Sequence, residues 1–193
     1  RVIDQRRTPV PKADGFTLIY VGGLSEVRGI KVLIEAIDKI PGTQLWLLGG
    51  WSSEAFRRSC EALPGFARTT WFGLVRMDEV YEYMRSADLG ACVLHPLPNY
   101  VVSEPIKTYE YLACGLPLLL SDFAIWKEVF GSWSWFTDPI DVDRVAEAIV
   151  IARDDDQLRQ QRAASGRIAV EEGHCWERER EHLIDLYGRL ANA

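Results

Sequence analysis

Residues 102–120 read V-S-E-P-I-K-T-Y-E-Y-L-A-C-G-L-P-L-L-L. Pro105 suits the first turn of a helix, where its missing N–H costs nothing. Tyr109, Leu112 and Ala113 then recur at helical spacing. Gly115 ends the helix, and Pro117 keeps it ended. The run L-P-L-L-L that follows reads as a strand buried on both faces. The N–H groups of Ser103, Glu104, Ile106 and Lys107, around Pro105, are expected to point unpaired out of the helix start, backed by the positive end of the helix dipole. Such a start is a ready anion site, most often for a diphosphate. Glu110 lies one turn further in, where a carboxylate can accept two hydrogen bonds from the vicinal hydroxyls of a ribose. The stretch thus suggests a nucleotide.

Outward from it, short apolar runs predict strands over residues 16–21, 44–48, 68–72, 89–94, 117–120 and 133–136. Helical periodicity predicts helices over 32–40, from Ser52 or Ser53 to Leu63, and over 78–86, 126–130, 142–153, 157–170 and 175–191. Val80, Tyr83 and Met84 should face inward on the third of these. Strands alternating with helices, without hairpin signals or an internal repeat, mean a parallel sheet covered on both faces: a doubly wound, Rossmann-like α/β domain. Ligands in such sheets bind outside the carboxyl ends of the strands. Gly22-Gly23, Gly49-Gly50-Trp51, residues 73–77 and residues 95–105 all fall there.

Each candidate has a plainer alternative. Gly22 and Gly23 let backbone approach a ligand, and Arg28 offers a fork of donors to phosphate. The same loop also reads as an ordinary strand-to-helix connection with a surface arginine, and it is not the G-x-G-x-x-G fingerprint. Lys107 and Glu110 are equally a surface ion pair. Glu104 can serve the helix dipole alone. His95, just past the fourth strand, reads as structural. His174 and His182 carry no role, and no two histidines have metal-ligand spacing. Trp126, Trp133 and Trp135 read as core. The closing helix should pack Leu183, Leu186, Tyr187 and Leu190 inward and leave its charged face in water.

Composition bounds the rest. The 193 residues are 48% hydrophobic, enough for one domain with a sizeable core, and the formal charge of −6 argues against a nucleic-acid binder. Cys60, Cys92, Cys114 and Cys175 form no CxxC pair and read as buried free thiols of a reducing compartment. No apolar run approaches the roughly 18 residues of a membrane span, and no signal peptide is visible. The opening R-V-I-D-Q-R-R-T-P-V-P-K lacks an initial Met and reads as a linker or hinge over residues 1–15, before a domain over 16–193. The chain is therefore expected to be a piece of something longer.

Together these pieces resemble the donor-binding C-terminal domain of family 4 glycosyltransferases, which have the GT-B fold. The resemblance covers residues 17–190. It rests on the order and spacing of Y-V-G-G-L-S-E-V-R-G-I-K, L-W-L-L-G-G, F-G-L-V, S-A-D-L-G and above all S-E-P-I-K-T-Y-E-Y-L-A-C-G-L-P, with the closing W-x-x-x-x-x-x-L-I-x-L-Y. It implies a nucleotide diphosphate sugar of UDP or GDP type as donor. Glu110 matches the family's second glutamate and would hold the ribose. Arg28 matches its loop cation and would contact the diphosphate. Leu74, Val75 and Arg76 would meet the base through backbone groups. The family's first glutamate falls on Val102 and its loop arginine on Gly23. Glu104 is the candidate stand-in for the one, and Lys31 or Lys107 for the other. The resemblance further implies a separate N-terminal acceptor domain, a glycan or lipid acceptor, and transfer with retained configuration in the cleft between domains. Neither cofactor nor metal is expected, and the location implied is cytoplasmic or peripheral at a membrane. No residue of this half is expected to be catalytic with certainty. The alternatives are another GT-B enzyme such as a sugar-nucleotide epimerase, or a non-catalytic nucleotide-binding or interaction domain.

Overall fold

Six strands carry the molecule: β1 (Phe16–Val21), β2 (Thr43–Leu48), β3 (Thr69–Gly73), β4 (Leu89–Cys92), β5 (Leu118–Ser121) and β6 (Ser134–Thr137). In this computed structural model, which describes residue 10 and residues 15–191, all of them pair in parallel in the order β3-β2-β1-β4-β5-β6. The predicted linker lies outside the described residues, apart from Val10 and Gly15.

Side chains alternate across the sheet with a period of two and so divide into two cores. Leu18 and Tyr20 of β1 join Leu45 and Leu47 of β2 beneath α1 (Ile30–Asp38), α2 (Glu54–Glu61) and α6 (Val142–Asp154). Ile19, Trp46 and Leu48 face the opposite way. They pack with α3 (Met77–Ser86), α4 (Ile106–Ala113), α5 (Ala124–Phe130) and Val170 of α7 (Asp156–Gly173). Burial on both faces explains why the strands read as near-continuous apolar runs.

The predicted elements are present with ends shifted by a few residues. Ser53 supplies the cap of α2, its Oγ accepting from the Phe56 N–H at 3.0 Å. β4 stops at Cys92, two residues short of the expected end. Helix α1 starts early because Gly29, at φ +73°, caps it directly. A Cβ on Gly29 would stand 2.1 Å from the Val93 carbonyl oxygen, so the loop after β1 lies flat against the exit of β4. Gly115, at φ +71°, closes α4. The Gly115 N–H donates to Leu112 and the Leu116 N–H to Tyr111, the paired bonds of a Schellman ending.

The last helix corrects its prediction. In α8 (Trp176–Ala191), Trp176, Leu183, Ile184, Leu186, Tyr187 and Leu190 are all exposed. Its apolar spacing is real, but α1 to α7 already cover both faces of the sheet. Of the tryptophans, Trp126 and Trp135 are buried, as core residues should be. Cys60, Cys92 and Cys114 are buried free thiols, and Cys175 is partly exposed. Burial pushes the Cys60 thiol up to about 11 and the Cys114 thiol up to about 12, so both stay protonated and inert. Among the described residues, no helix is long and apolar enough to cross a membrane.

Candidate functional site

The chain leaves β1 towards β2 on one side, and β4 re-enters on the other. The loops after β1 and β4 therefore diverge and open a crevice at the carboxyl edge of the sheet. One wall is a lacing of three strand exits. The Gly22 N–H donates to Leu48 at 2.9 Å, the Leu24 N–H to Gly50 at 2.8 Å, and the Gly49 N–H to Gly73 at 2.7 Å. A Cβ on Gly49 would fall 1.9 Å from the Gly22 oxygen, so these backbones meet only because that residue is glycine. The opposite wall is the segment from Val93 to Pro105. It is pinned by the His95 N–H on Val27 and by Ser121 Oγ on the Leu94 carbonyl. It is also held by the Trp126 indole N–H on the Ser103 carbonyl, at 2.5 Å.

Two cations reach the floor between these walls. Arg28 ends a short 3-10 turn (Glu26–Arg28), and its Nη1 lies 3.5 Å from where a Cβ of Gly22 would stand and 3.6 Å from that of Gly23. Lys107, from the first turn of α4, brings Nζ to 3.0 Å from the same Gly22 position. Any side chain at Gly22 would enter the space these groups occupy. Burial alone would lower the Arg28 pKa. Hydrogen bonding and charge from Tyr20 and Tyr100 outweigh it, and the net shift is upward.

Tyr20 holds the cluster together from below. It is fully buried, its hydroxyl donates to the Gly23 carbonyl at 3.1 Å and accepts from Lys107 Nζ at 3.0 Å. The ammonium also sits 4.2 Å from the centre of the Tyr20 ring. Behind it, the Tyr111 hydroxyl accepts from the Val21 N–H at 2.9 Å. Neither tyrosine stood out in the sequence. The available signal was a tyrosine in a buried strand two residues before Gly22-Gly23, since a buried phenol needs a partner for its hydroxyl.

The start of α4 differs in detail from expectation. Pro105 is the capping residue, and the helix begins at Ile106. The N–H groups of Ile106 and Lys107 have no intrahelical acceptor. That of Ser103 is not free: it donates to the Tyr100 carbonyl at 3.3 Å, because residues 100–103 fold into a tight turn. Glu104 accepts from the Tyr109 hydroxyl at 2.5 Å, which favours its structural reading. Burial, followed by this bond, raises the Tyr109 pKa.

Glu110 is half-buried on α4, one turn beyond Lys107. With Tyr81, Ile106 and Tyr109 it lines a groove of about 900 Å³ that continues to Arg167, His174 and Trp176. Burial raises its pKa, and the charge of Lys107 partly opposes the rise. Lys107 turns to Tyr20, so the simple surface pair with Glu110 is not what forms. Leu74 is 88% exposed beside Gly50, Val75 packs against the core, and Arg76 binds Asp78 at 3.2 Å. Val102 is also exposed, an apolar side chain where the resemblance expects a carboxylate. Lys31 lies near Cys60 on the α1–α2 side, so Lys107 is the lysine that closes on Gly22.

The family described as "Glycosyl transferases group 1" matches residues 2–168. The chain belongs to this family. O-antigen chain mannosyltransferase B of Escherichia coli is 25% identical over 179 residues, 89% of this chain and 45% of that protein. Sucrose-phosphate synthase of Thermosynechococcus elongatus superposes with a TM-score of 0.82 at 25% identity, over 94% of this chain and 47% of the other. The Anabaena protein HepE, solved in complex with UDP, gives 0.78 at 17% identity, over 91% and 49%, and shows the shared fold. The domain is thus one Rossmann-like half of the GT-B architecture, as the family resemblance implies. The chain spans less than half the length of these three proteins. These relatives favour a transferase over the epimerase and interaction-domain alternatives.

Proposed function

We propose that this chain is the donor-binding domain of a retaining glycosyltransferase that moves a sugar from a nucleotide diphosphate to a glycan or lipid acceptor. The observation that carries the reading is the convergence of Arg28 and Lys107 on Gly22, beside the open N–H groups of Ile106 and Lys107, at the switch point of the sheet. Two fixed cations and a helix start offer the countercharge that a leaving diphosphate develops as the bond to the sugar breaks. Such preorganised donors stabilise that charge without a metal. Glu110 takes the ribose hydroxyls. Leu74, Val75 and Arg76, at the edge of the laced wall, take the base. HepE, with this fold, is solved with UDP, which supports a nucleotide of that kind. The acceptor would come from a second domain across the crevice, with the protein working in the cytoplasm or at a membrane surface.

The test is calorimetric titration of UDP, GDP and ADP in buffer containing EDTA. One base should bind, and its identity narrows the donor. Arg28→Ala should cost the diphosphate one to two decades of affinity, roughly 1.5–3 kcal/mol, and the nucleoside little. Equal losses for diphosphate and nucleoside would show that Arg28 acts through structure. Binding that requires Mg²⁺ or Mn²⁺ would contradict the metal-free cradle.

A further inference from the structure

We infer that Tyr20 is a positioning residue of the diphosphate cradle, holding Lys107 beside Arg28 through its hydroxyl. The inference rests on the donor-binding reading above. The two cations come from opposite sides of the crevice, Arg28 from the turn after β1 and Lys107 from α4, 79 positions apart in the chain. Two like charges brought together in the absence of an anion repel, and both side chains carry large rotamer freedom. Something must hold them at the floor before a ligand arrives.

The phenol does so with the groups it has. Its single proton is directed to the Gly23 carbonyl at 3.1 Å. Its lone pairs are therefore left for a cation: Lys107 Nζ donates at 3.0 Å, while Arg28 Nη1 gathers at the same point, it and the hydroxyl each 3.5 Å from where a Cβ of Gly22 would stand. The ring adds a second attraction, since the ammonium rests 4.2 Å from its centre. The side chain is wholly buried, and Tyr20 lies in the strand ladder opposite Leu47, so the hydroxyl is fixed by the sheet. The same bond that orients the phenol also holds the Gly23 carbonyl, so loop backbone and the Lys107 charge share one anchor. Gly23, where the resemblance expects an arginine, contributes no charge of its own. Lys107, tethered by Tyr20, supplies the second cation from another element.

The experiment uses Tyr20→Phe, which removes one oxygen and keeps the ring. It is titrated against UDP, against whichever other diphosphate binds, against the matching nucleoside and against inorganic pyrophosphate. Diphosphate and pyrophosphate affinity should each fall about tenfold, nucleoside affinity should hold, and the melting temperature should change by a few degrees at most. The deciding measurement is a double-mutant cycle with Lys107→Ala. If the hydroxyl acts through Lys107, adding Tyr20→Phe to Lys107→Ala should cost much less than it costs alone. A full tenfold loss in both backgrounds, an equal loss for nucleoside and diphosphate, or a Tyr20→Phe chain that does not fold would each overturn the inference and leave the hydroxyl a structural group. A parent chain that binds none of the nucleotides overturns the donor-binding reading itself. A parent that binds, with Tyr20→Phe matching it, overturns only the role of Tyr20.

Discussion

Two glycines with positive φ show how local chemistry separates a fold requirement from a site requirement. Gly49 is at φ +142° and Gly115 at φ +71°. Around Gly115 there is open space, so Gly115→Ala should cost only the left-handed backbone penalty, about 1–2 kcal/mol. At Gly49 the new methyl would also strike the Gly22 oxygen. Gly49→Ala should therefore cost roughly 2–5 kcal/mol and weaken diphosphate binding as well, because Gly22 must move. Thermal melts with a UDP titration check both, and equal effects would refute the distinction. Glu110 offers a pH test. Burial raises its folded-state pKa, so its charged form costs stability above that pKa, and the cost disappears as falling pH protonates it. Ribose binding has the opposite sign, because the carboxylate is the acceptor. On acidification, nucleotide affinity should begin to fall above the ordinary carboxylate range, and Glu110→Gln should lose that limb while binding more weakly at neutral pH. A profile identical in the parent and the Gln chain would remove Glu110 from the site. Glu110, Arg28 and Gly22 were singled out in the sequence as candidates because each matches a motif position. Tyr20 was not, because a strand tyrosine looks the same whether its hydroxyl meets water, a carbonyl or an ammonium.

Among the elements, the strands and α4 were read with small errors, because their evidence is local: a capping proline, a glycine stop, an apolar run. The errors sit where tertiary contact decides. Helix α1 extends back to Ile30 because Gly29 fits against Val93, a partner 64 residues away. The free N–H expected at Ser103 is used by a turn that only the Trp126 anchor and the surrounding packing make compact. The misread orientation of α8 has the same origin. Its period shows that one face is apolar, but periodicity does not say which surface that face meets. In the described residues α8 buries nothing, so Leu186→Ser and Leu190→Ser together should leave the stability of the chain unchanged within about 0.5 kcal/mol per site. Chemical denaturation measures this, and a loss of several kcal/mol would show that α8 packs on the domain in solution. The matched control is Leu112→Ala in α4, wholly buried and packed against Gly166 of α7, where a cavity should cost about 2–5 kcal/mol.

For the whole molecule, the question is what 193 residues with this crevice can do alone. The sheet is covered on both faces by the chain's own helices, and two cores divide its apolar residues between them. Such a domain should fold cooperatively without a partner. The groups proposed for the diphosphate, ribose and base all lie within it, so it should bind a nucleotide, though weakly, because the crevice is open on one side. It should not transfer sugar. The chain spans 45% of its mannosyltransferase relative, and the acceptor is proposed to sit on a second domain across the crevice. Without that wall, water reaches the anomeric carbon and the acceptor is not positioned, and positioning alone can be worth about 7–11 kcal/mol of the barrier. The expected result with a panel of sugar nucleotides and lipid or glycan acceptors is therefore binding by calorimetry and no glycosylated product by mass spectrometry. Turnover at an enzyme's ordinary rate by this chain alone would mean that the acceptor binds on this domain. The groove beside Glu110, with Tyr81, Tyr109 and Trp176 along it, would then be the first place to look for it.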